Sequence, residues 1–308
     1  MAAGGDAGGS VWDDRVESDP TFCCPVGFGA GQALAGFWRD VFKGARPGAR
    51  VLEIGCGSGQ VSIWAAQARR GLKILATDIH NRPGAVMRHP EVGFQGGVRA
   101  EALPFPAGAF DLAVSNFGFE YAELGQAPAE LARVLAPDGA AVLVMHRSDS
   151  DISVSSRLAI DIARRLTEAE VPDKVRRAAG LRRDHLSRRA LLKHVLKLKA
   201  EVPAAPFNLS GAEYFGFAER LLAGEAVAAA EMDQVDQGVA MRLAMARDQS
   251  QVALDPARLR TLLERFKAAG LRAEATELSC TYPDGLVDRV GWIALLTKTP
   301  EGPSVPAP

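Results

Sequence analysis

The sequence predicts an α/β protein: a doubly wound parallel sheet with helices on both faces, interrupted by a helical insertion. Three observations predict it. Val51, Leu52 and Ile54 form a short apolar run bounded by glycines, as a strand buried on both faces of a parallel sheet requires. That run passes directly into Gly55-Cys56-Gly57-Ser58-Gly59 and then into the helical stretch Gln60–Ala68. Strand-like and helical stretches keep alternating as far as Met145, whereas about Asp149 to Leu254 reads as helices alone, too long for a connecting loop in a compact domain.

Composition narrows the class. The 308 residues are 47% hydrophobic and 24% charged, ordinary for a globular protein that buries a sizeable core. A formal net charge of −1 excludes a uniformly basic, nucleic-acid-coating protein. The four cysteines, Cys23, Cys24, Cys56 and Cys280, have neither C-x-x-C spacing nor a histidine cluster, so no structural metal or disulfide framework is expected. The first ten residues lack a basic n-region and an apolar h-region, and no eighteen consecutive apolar residues occur, so a cytoplasmic protein without a membrane span is expected.

Taken in order, residues 1–45 form an N-terminal arm and helix, in which Gln32–Phe42 has apolar residues at helical spacing and Trp12 and Phe22 precede it. The glycine turn closes the first strand. Glycines there can take backbone angles closed to other residues and bring main chain close to a ligand. After Gly71, Leu72–Asp78 reads as the second strand. Asp78, about twenty residues past the turn, is placed to accept both hydroxyl hydrogens of a ribose. Phe110–Val114 is a further strand delivering Ser115, Asn116, Phe117, Gly118, Phe119, Glu120 and Tyr121 to the same edge. Ala129–Leu135 is a helix, Pro137-Asp138-Gly139 a turn, and Ala140–Met145 a strand with His146 at its end, on the edge where open α/β sheets bind ligands.

The insertion, residues 151–250, contains five helical stretches: Val154–Ala169, Pro172–Ala179, Leu186–Lys199, Ala212–Ala230 and Gln234–Arg247. Between Lys174 and Lys199 ten Lys or Arg face one acid, a local charge of +9 against −10 for the rest of the chain. Within it Leu186, Ala190, Leu191, Val195 and Leu198 are expected on the buried helical face, opposite Arg189, Lys193 and Lys197. The α/β pattern resumes at Asp255-Pro256, with a capped helix Ala257–Ala269 and strands Leu271–Tyr282 and Val290–Lys298, before a tail at 300–308.

A dinucleotide fingerprint counted from Gly55 would need its third glycine at position 60, where Gln60 stands. The pattern present, E-x-G-x-G-x-G from Glu53 to Gly59, resembles the first motif of the class I S-adenosylmethionine-dependent methyltransferases of the type 11-like group. Gly97–Asn116 and the Pro-Asp-Gly turn resemble later stretches of the same family. The resemblance implies a Rossmann-like seven-stranded sheet with its last strand antiparallel, built from 46–150 and 251–299, and S-adenosyl-L-methionine as cofactor. It places Glu53, Gly55, Cys56, Gly57, Gly59, Asp78, Ala100, Glu101, Ser115 and Asn116 around that cofactor, with Asp78 on the ribose. Arg99 departs from the family, which often has Asp there, so adenine is left to main chain near Ala100 and Glu101.

The reaction implied is methyl transfer to an O, N or C nucleophile of a small-molecule substrate, anionic if the basic segment touches it. His146, Glu120 and Tyr121 are the candidate catalytic groups at the ligand edge, with His146 and Glu120 the candidate bases. The N-terminal arm and the insertion are expected to act as lids over the pocket. Peptide, protein or RNA-ribose methylation and a non-catalytic S-adenosylmethionine-binding regulator are the alternatives. Base amino-methylation is disfavoured because Ser115-Asn116-Phe117-Gly118 lacks the N/D-P-P-F/Y motif, and no other nucleic-acid partner is expected.

Overall fold

The computed structural model describes residues 28–81, 89–202, 211–281 and 285–298. Trp12, Phe22, Cys23, Cys24 and the tail lie outside them. The chain divides into two units, one formed by Met1–Ile152 with Val252–Pro308 and the other by Ser153–Gln251.

The first unit is built on a seven-stranded sheet. Its strands are β1 (Arg50–Ile54), β2 (Lys73–Thr77), β3 (Val92–Gln95), β4 (Phe110–Asn116), β5 (Leu135–Met145), β6 (Leu271–Thr281) and β7 (Val287–Lys298), in the spatial order 3-2-1-4-5-7-6. The first five run parallel, and β7 is antiparallel to both β5 and β6. This is the Rossmann-like doubly wound arrangement, with the order reversing between β1 and β4. The crevice at such a reversal, outside the carboxyl ends of the strands, is where open sheets bind ligands.

Alternation along each strand supplies a core on both faces. Leu52, Ile54, Ala113, Leu143 and Met145 face one side, packing with Leu131 of helix α3 (Ala127–Val134) and Leu262 and Phe266 of helix α9 (Pro256–Ala268). Val51, Val114, Val142 and Val144 face the other, against Leu34, Trp38 and Phe42 of α1 (Phe28–Gly44) and Val61 and Ala65 of α2 (Gln60–Ala68). Helix α9 starts as its sequence requires, with Asp255 accepting from Ala257 N and Arg258 N, both at 2.8 Å, ahead of Pro256.

Two local expectations change. Pro137-Asp138-Gly139 lies inside β5 instead of before it. Pairing steps from Phe110↔Leu135 to Leu112↔Ala140, so the turn is absorbed as a bulge with Asp138 at φ 62°. Strand β3, only four residues at the sheet edge and containing Gly93, carries too little pattern to be read from sequence.

The second unit contains most of α4 (Asp151–Glu168), then α5 (Val171–Gly180), α6 (Leu186–Lys199), α7 (Ala212–Ala223) and α8 (Ala229–Val252). Its core joins Ile162, Val171, Val175, Leu192, Val195, Phe217 and Leu221. The expected helix Ala212–Ala230 breaks at Gly224, whose φ of 85° gives a left-handed cap. On α6 the buried face is Arg188, Leu192 and Val195, whereas Leu186 is 86% exposed and Ala190 also faces solvent. The inward arginine explains the rotation: its guanidinium donates to Leu181 O and Leu221 O, both at 3.0 Å, satisfying carbonyls that end neighbouring helical segments. Much of the basic segment is answered locally, Arg176 by Asp233 (2.8 Å) and Asp236, Lys199 by Glu219 (2.6 Å). Arg189, Lys193 and Lys197 are exposed and have no acidic partner among the described residues.

At the amino end of the sheet, Asp111 accepts from Arg50 Nε (3.1 Å), Nη2 (3.0 Å) and main-chain N (2.8 Å). The Arg50 guanidinium bond, outweighing partial burial, holds the Asp111 carboxyl at about 2, below its ordinary 3.8. A depressed folded-state value means the unfolded chain binds the proton first as pH falls. Asp111→Asn should therefore lower the denaturation midpoint at pH 7, and the gap from wild type should shrink between about pH 4 and pH 2, measured by urea titrations across that range.

Candidate functional site

The site begins where β1 ends. Gly55, Gly57 and Gly59 take φ values of 65°, 51° and 80°, so the chain reverses and enters α2 through a turn that side chains would strain. Glu53, 1% exposed, is turned into the protein: its Oε2 accepts from Ser62 N at 3.0 Å and from the Ser62 hydroxyl. A buried carboxylate is tolerated there because the first turn of α2 offers unpaired N–H groups and the positive end of its dipole.

Asp78 follows β2 and is buried. Its Oδ2 accepts from Gly57 N at 2.7 Å and its Oδ1 from His80 N at 3.0 Å, so the carboxylate fastens the glycine turn. Each oxygen has a further lone pair for a ligand hydroxyl. Val98 N donates to Asp78 O at 2.9 Å, which brings the 98–101 segment beside it. Ala100 is buried there, and the Glu101 carboxylate is paired with Arg99, so the departure from the family pattern is answered by the next acid along. The Cys56 thiol is pushed well up by burial, then by the nearby charges of Glu53 and Asp78, so it stays protonated and is no nucleophile.

From sequence, Ser115 and Asn116 are expected on the cofactor; the structure turns both side chains to protein partners. The fully buried Ser115 hydroxyl donates to Ile54 O at 2.7 Å, and Asn116 Oδ1 accepts from Trp38 Nε1 at 2.9 Å. The loop after β4 then touches the glycine turn main chain to main chain. A methyl carbon built on Gly118 would lie 2.9 Å from Gly55 O, and one on Gly55 would lie 3.1 Å from Gly118 Cα. Neither position has room for a side chain. Beside Gly57, by contrast, a methyl carbon would meet nothing within 4 Å, so open space flanks the bare backbone.

Past Asn116 the chain kinks through Phe117, at φ 55°, while Phe117 N donates to Val144 O at 2.7 Å. A single 3₁₀ turn, Phe119–Tyr121, carries Glu120 inward. Its side chain is fully buried against His146, the first residue after β5 and only 2% exposed. Glu120 Oε1 lies 2.7 Å from His146 N and 2.6 Å from His146 Nδ1. The imidazole stands between Phe117, with ring centroids 4.5 Å apart, and Tyr121, at 5.9 Å and near-perpendicular. His146 Nε2 and Glu120 Oε2 are buried with no hydrogen-bond partner among the described residues. Leaving such atoms unmade costs about 1–3 kcal/mol each, and buried polar atoms are ordinarily satisfied. The structure thus brings together the three side chains singled out as catalytic candidates.

Sequence reasoning missed the supports. His146 O accepts from Leu254 N at 2.8 Å, and Trp292 Nε1 donates to Leu254 O at 2.9 Å. Arg147 lies 4.2 Å over the Trp292 ring and is paired with Asp149 and with Glu277 at 2.5 Å. No short-range signal marks the contacts of His146 with Leu254 or of Arg147 with Trp292 and Glu277, since these partners are more than a hundred residues apart in the chain. A surface depression of about 510 Å³, lined among others by Arg50, Lys73 and Phe110, lies at the amino ends of β1, β2 and β4, the opposite end from the glycine turn. Among the described residues no group of three or more His, Cys, Asp or Glu is placed to hold a metal ion, and no helix is long and apolar enough to cross a membrane.

Residues 52–143 match the family model described as a methyltransferase domain, consistent with the class I S-adenosylmethionine-dependent methyltransferase family. S-adenosyl-L-methionine is the cofactor of that domain class. The chain is 43% identical over 103 residues to an uncharacterized protein of Mycobacterium tuberculosis, covering 32% of this chain and 37% of that protein. It is 34% identical over 101 residues to the demethylmenaquinone methyltransferase of Thermus thermophilus, covering 31% of this chain and 46% of that one. The matches therefore span less than half the length of these relatives. Among solved structures, a Burkholderia thailandensis 1,6-didemethyltoxoflavin-N1-methyltransferase with bound 1,6-didemethyltoxoflavin and S-adenosylhomocysteine is 14% identical, with a TM-score of 0.45 and coverage of 94% of this chain and 87% of that one.

The two glycine contacts make separable predictions. Gly118→Ala should overlap Gly55 and cost about 1–3 kcal/mol of stability, while weakening S-adenosylhomocysteine binding. Gly57→Ala, with open space beside it, should cost only the backbone strain, about 1–2 kcal/mol. Denaturant unfolding of both variants, with calorimetric titration of S-adenosylhomocysteine, measures the difference.

Proposed function

We propose that the chain transfers the methyl group of S-adenosylmethionine to an oxygen, nitrogen or carbon nucleophile of a small molecule. The observation that carries this is the meeting of two glycine loops at Gly55 and Gly118 with Asp78 fastened beside them, which leaves bare backbone and open carboxylate lone pairs at the switch point of the sheet. These residues fit the cofactor: Asp78 would take the ribose hydroxyls, the main chain at Gly57 and Gly59 would lie against the ligand, and the 98–101 segment would border adenine. When bound, the cofactor supplies an electrophilic methyl carbon and a neutral leaving group. The protein's share is then mainly orientation, which can contribute about 7 to 11 kcal/mol. The name of the Thermus relative is that of an enzyme with a small-molecule acceptor, which supports the same class here.

In this reading the helical unit selects the acceptor, and the stripe Arg189, Lys193 and Lys197 attracts an anionic one. Reversing the three to Glu should raise the acceptor KM and make it less sensitive to salt, with cofactor affinity intact. Kinetics equal to wild type at every salt concentration would remove the electrostatic role.

Two measurements test the activity. Calorimetry should show S-adenosylmethionine and S-adenosylhomocysteine binding and no binding of nicotinamide cofactors. Asp78→Asn, which keeps an acceptor for Gly57 N, should lose about 10- to 100-fold in affinity. Incubation with methyl-labelled S-adenosylmethionine and fractionated host extract should place label in the small-molecule fraction. Label in peptide or RNA would replace the acceptor class, and binding without transfer in any fraction would leave a cofactor-binding regulator.

A further inference from the structure

The buried pair behind the glycine loops is more specific than methyl transfer requires. Glu120 Oε1 accepts from the His146 main-chain N (2.7 Å) and lies 2.6 Å from Nδ1. A carboxylate oxygen there can only accept, so Nδ1 carries the ring hydrogen and the basic lone pair sits on Nε2. Nε2 is buried and has no partner among the described residues, and neither has Glu120 Oε2. A histidine kept at this depth for packing alone would be bonded at both nitrogens. The main chain fixes the ring from two sides, through Glu120 Oε1 on His146 N and Leu254 N on His146 O at 2.8 Å.

The surroundings describe what meets Nε2. The Phe117 ring centroid lies 4.5 Å from that of the imidazole, tilted by 48°, and the Tyr121 centroid lies 5.9 Å away with its ring near-perpendicular; Tyr121, 36% exposed, is the one that reaches solvent. Aromatic rings beside the imidazole suit an acceptor that is itself aromatic or otherwise planar. Among the described residues, the charged and titratable groups shown against the ring are Glu120 and Tyr121 from the turn after β4. Arg147, next along from β5, is turned onto Trp292 of β7 and paired with Asp149 and Glu277.

We propose that His146 Nε2 is the general base of the reaction, that Glu120 is its positioning residue, and that the acceptor is therefore the hydroxyl of a planar phenol or enol. This rests on the methyltransferase reading above. An imidazole base contributes only where the acceptor must lose a proton, so it offers nothing to a thioether or tertiary amine, and little to a thiol that ionises on its own. In the balanced step the acceptor O–H proton passes to Nε2 as an oxygen lone pair forms the O–CH₃ bond, the S–CH₃ bond breaks with its electron pair returning to sulfur, and the proton later leaves for water. The Glu120 carboxylate offsets the imidazolium charge during that interval.

The test uses the full chain. Nitrogen-15 NMR of histidine-labelled protein at neutral pH should show His146 as the Nδ1–H tautomer, and Glu120→Gln, whose amide can donate as well as accept, should mix the two tautomers. A proton on Nε2 in the wild type, or a tautomer ratio unmoved by Glu120→Gln, overturns the assignment. In the turnover assay, with the acceptor found by methyl labelling, His146→Gln should lower kcat by about 10²- to 10⁴-fold, remove the acidic limb of the pH profile and leave S-adenosylhomocysteine affinity unchanged. A kcat within about twofold of wild type, or a transferred carbon-13 methyl found on sulfur or nitrogen, overturns it as well. The two readings fail separately. If S-adenosylhomocysteine binds but Nε2 is protonated, the base falls and the methyltransferase stands; if it does not bind, the methyltransferase reading falls whatever the tautomer.

Discussion

The contact between the backbones of Gly55 and Gly118 is the constraint on which the rest of the site depends. It holds the loop after β1 against the loop after β4, and no side chain fits on either residue. Each loop is then fixed by one buried polar group: Asp78 on the Gly57 amide, and Ser115 on the Ile54 carbonyl. Because β1 and β4 lie at the point where strand order reverses, the close approach sets the floor of the crevice. The kink at Phe117 that follows it decides where Glu120 goes, and hence which nitrogen of His146 the carboxylate engages.

Much of this was legible in the sequence, for reasons local to it. Apolar runs marked β1, β2 and β4 to within a few residues and β5 from Ala140 onward, because a strand buried on both faces leaves little choice of side chain. Asp78 and His146 stood out by position, each just past a strand on the ligand edge. What escaped reading was nonlocal or too short. Strand β3 has only four residues, and the break at Gly224 is set by one glycine in a stretch with strong helical spacing. The rotation of α6 was misjudged because a periodicity argument assigns arginine to solvent. Arg188 goes inward since two carbonyls at helix ends need donors there.

The cofactor residues show the same boundary from another side. Glycine positions report backbone shape, and these are where sequence and structure coincide most closely. Polar side chains in the same motifs divide their roles less visibly: Glu53 serves the start of α2, Asn116 holds Trp38, and Glu101 answers Arg99. A motif thus names residues that must be present together without saying which of them faces the ligand and which face one another.

The strut around Leu254 has a wider consequence. Leu254 N bonds to His146 O, Ser148 N bonds back to Leu254 O at 3.0 Å, and Trp292 Nε1 shares that carbonyl. The chain therefore leaves the sheet and re-enters it at adjoining, mutually bonded residues, although more than a hundred positions separate them. Such a doorway makes the intervening segment a cassette. Its length and sequence can drift, or be exchanged for another segment with close ends, while the strands on either side keep their register. With the helical unit selecting the acceptor, as proposed above, selection on that choice and selection on the chemistry act on different parts of one gene, and relatives with recognisably similar sheets would be expected to diverge most steeply between these two residues.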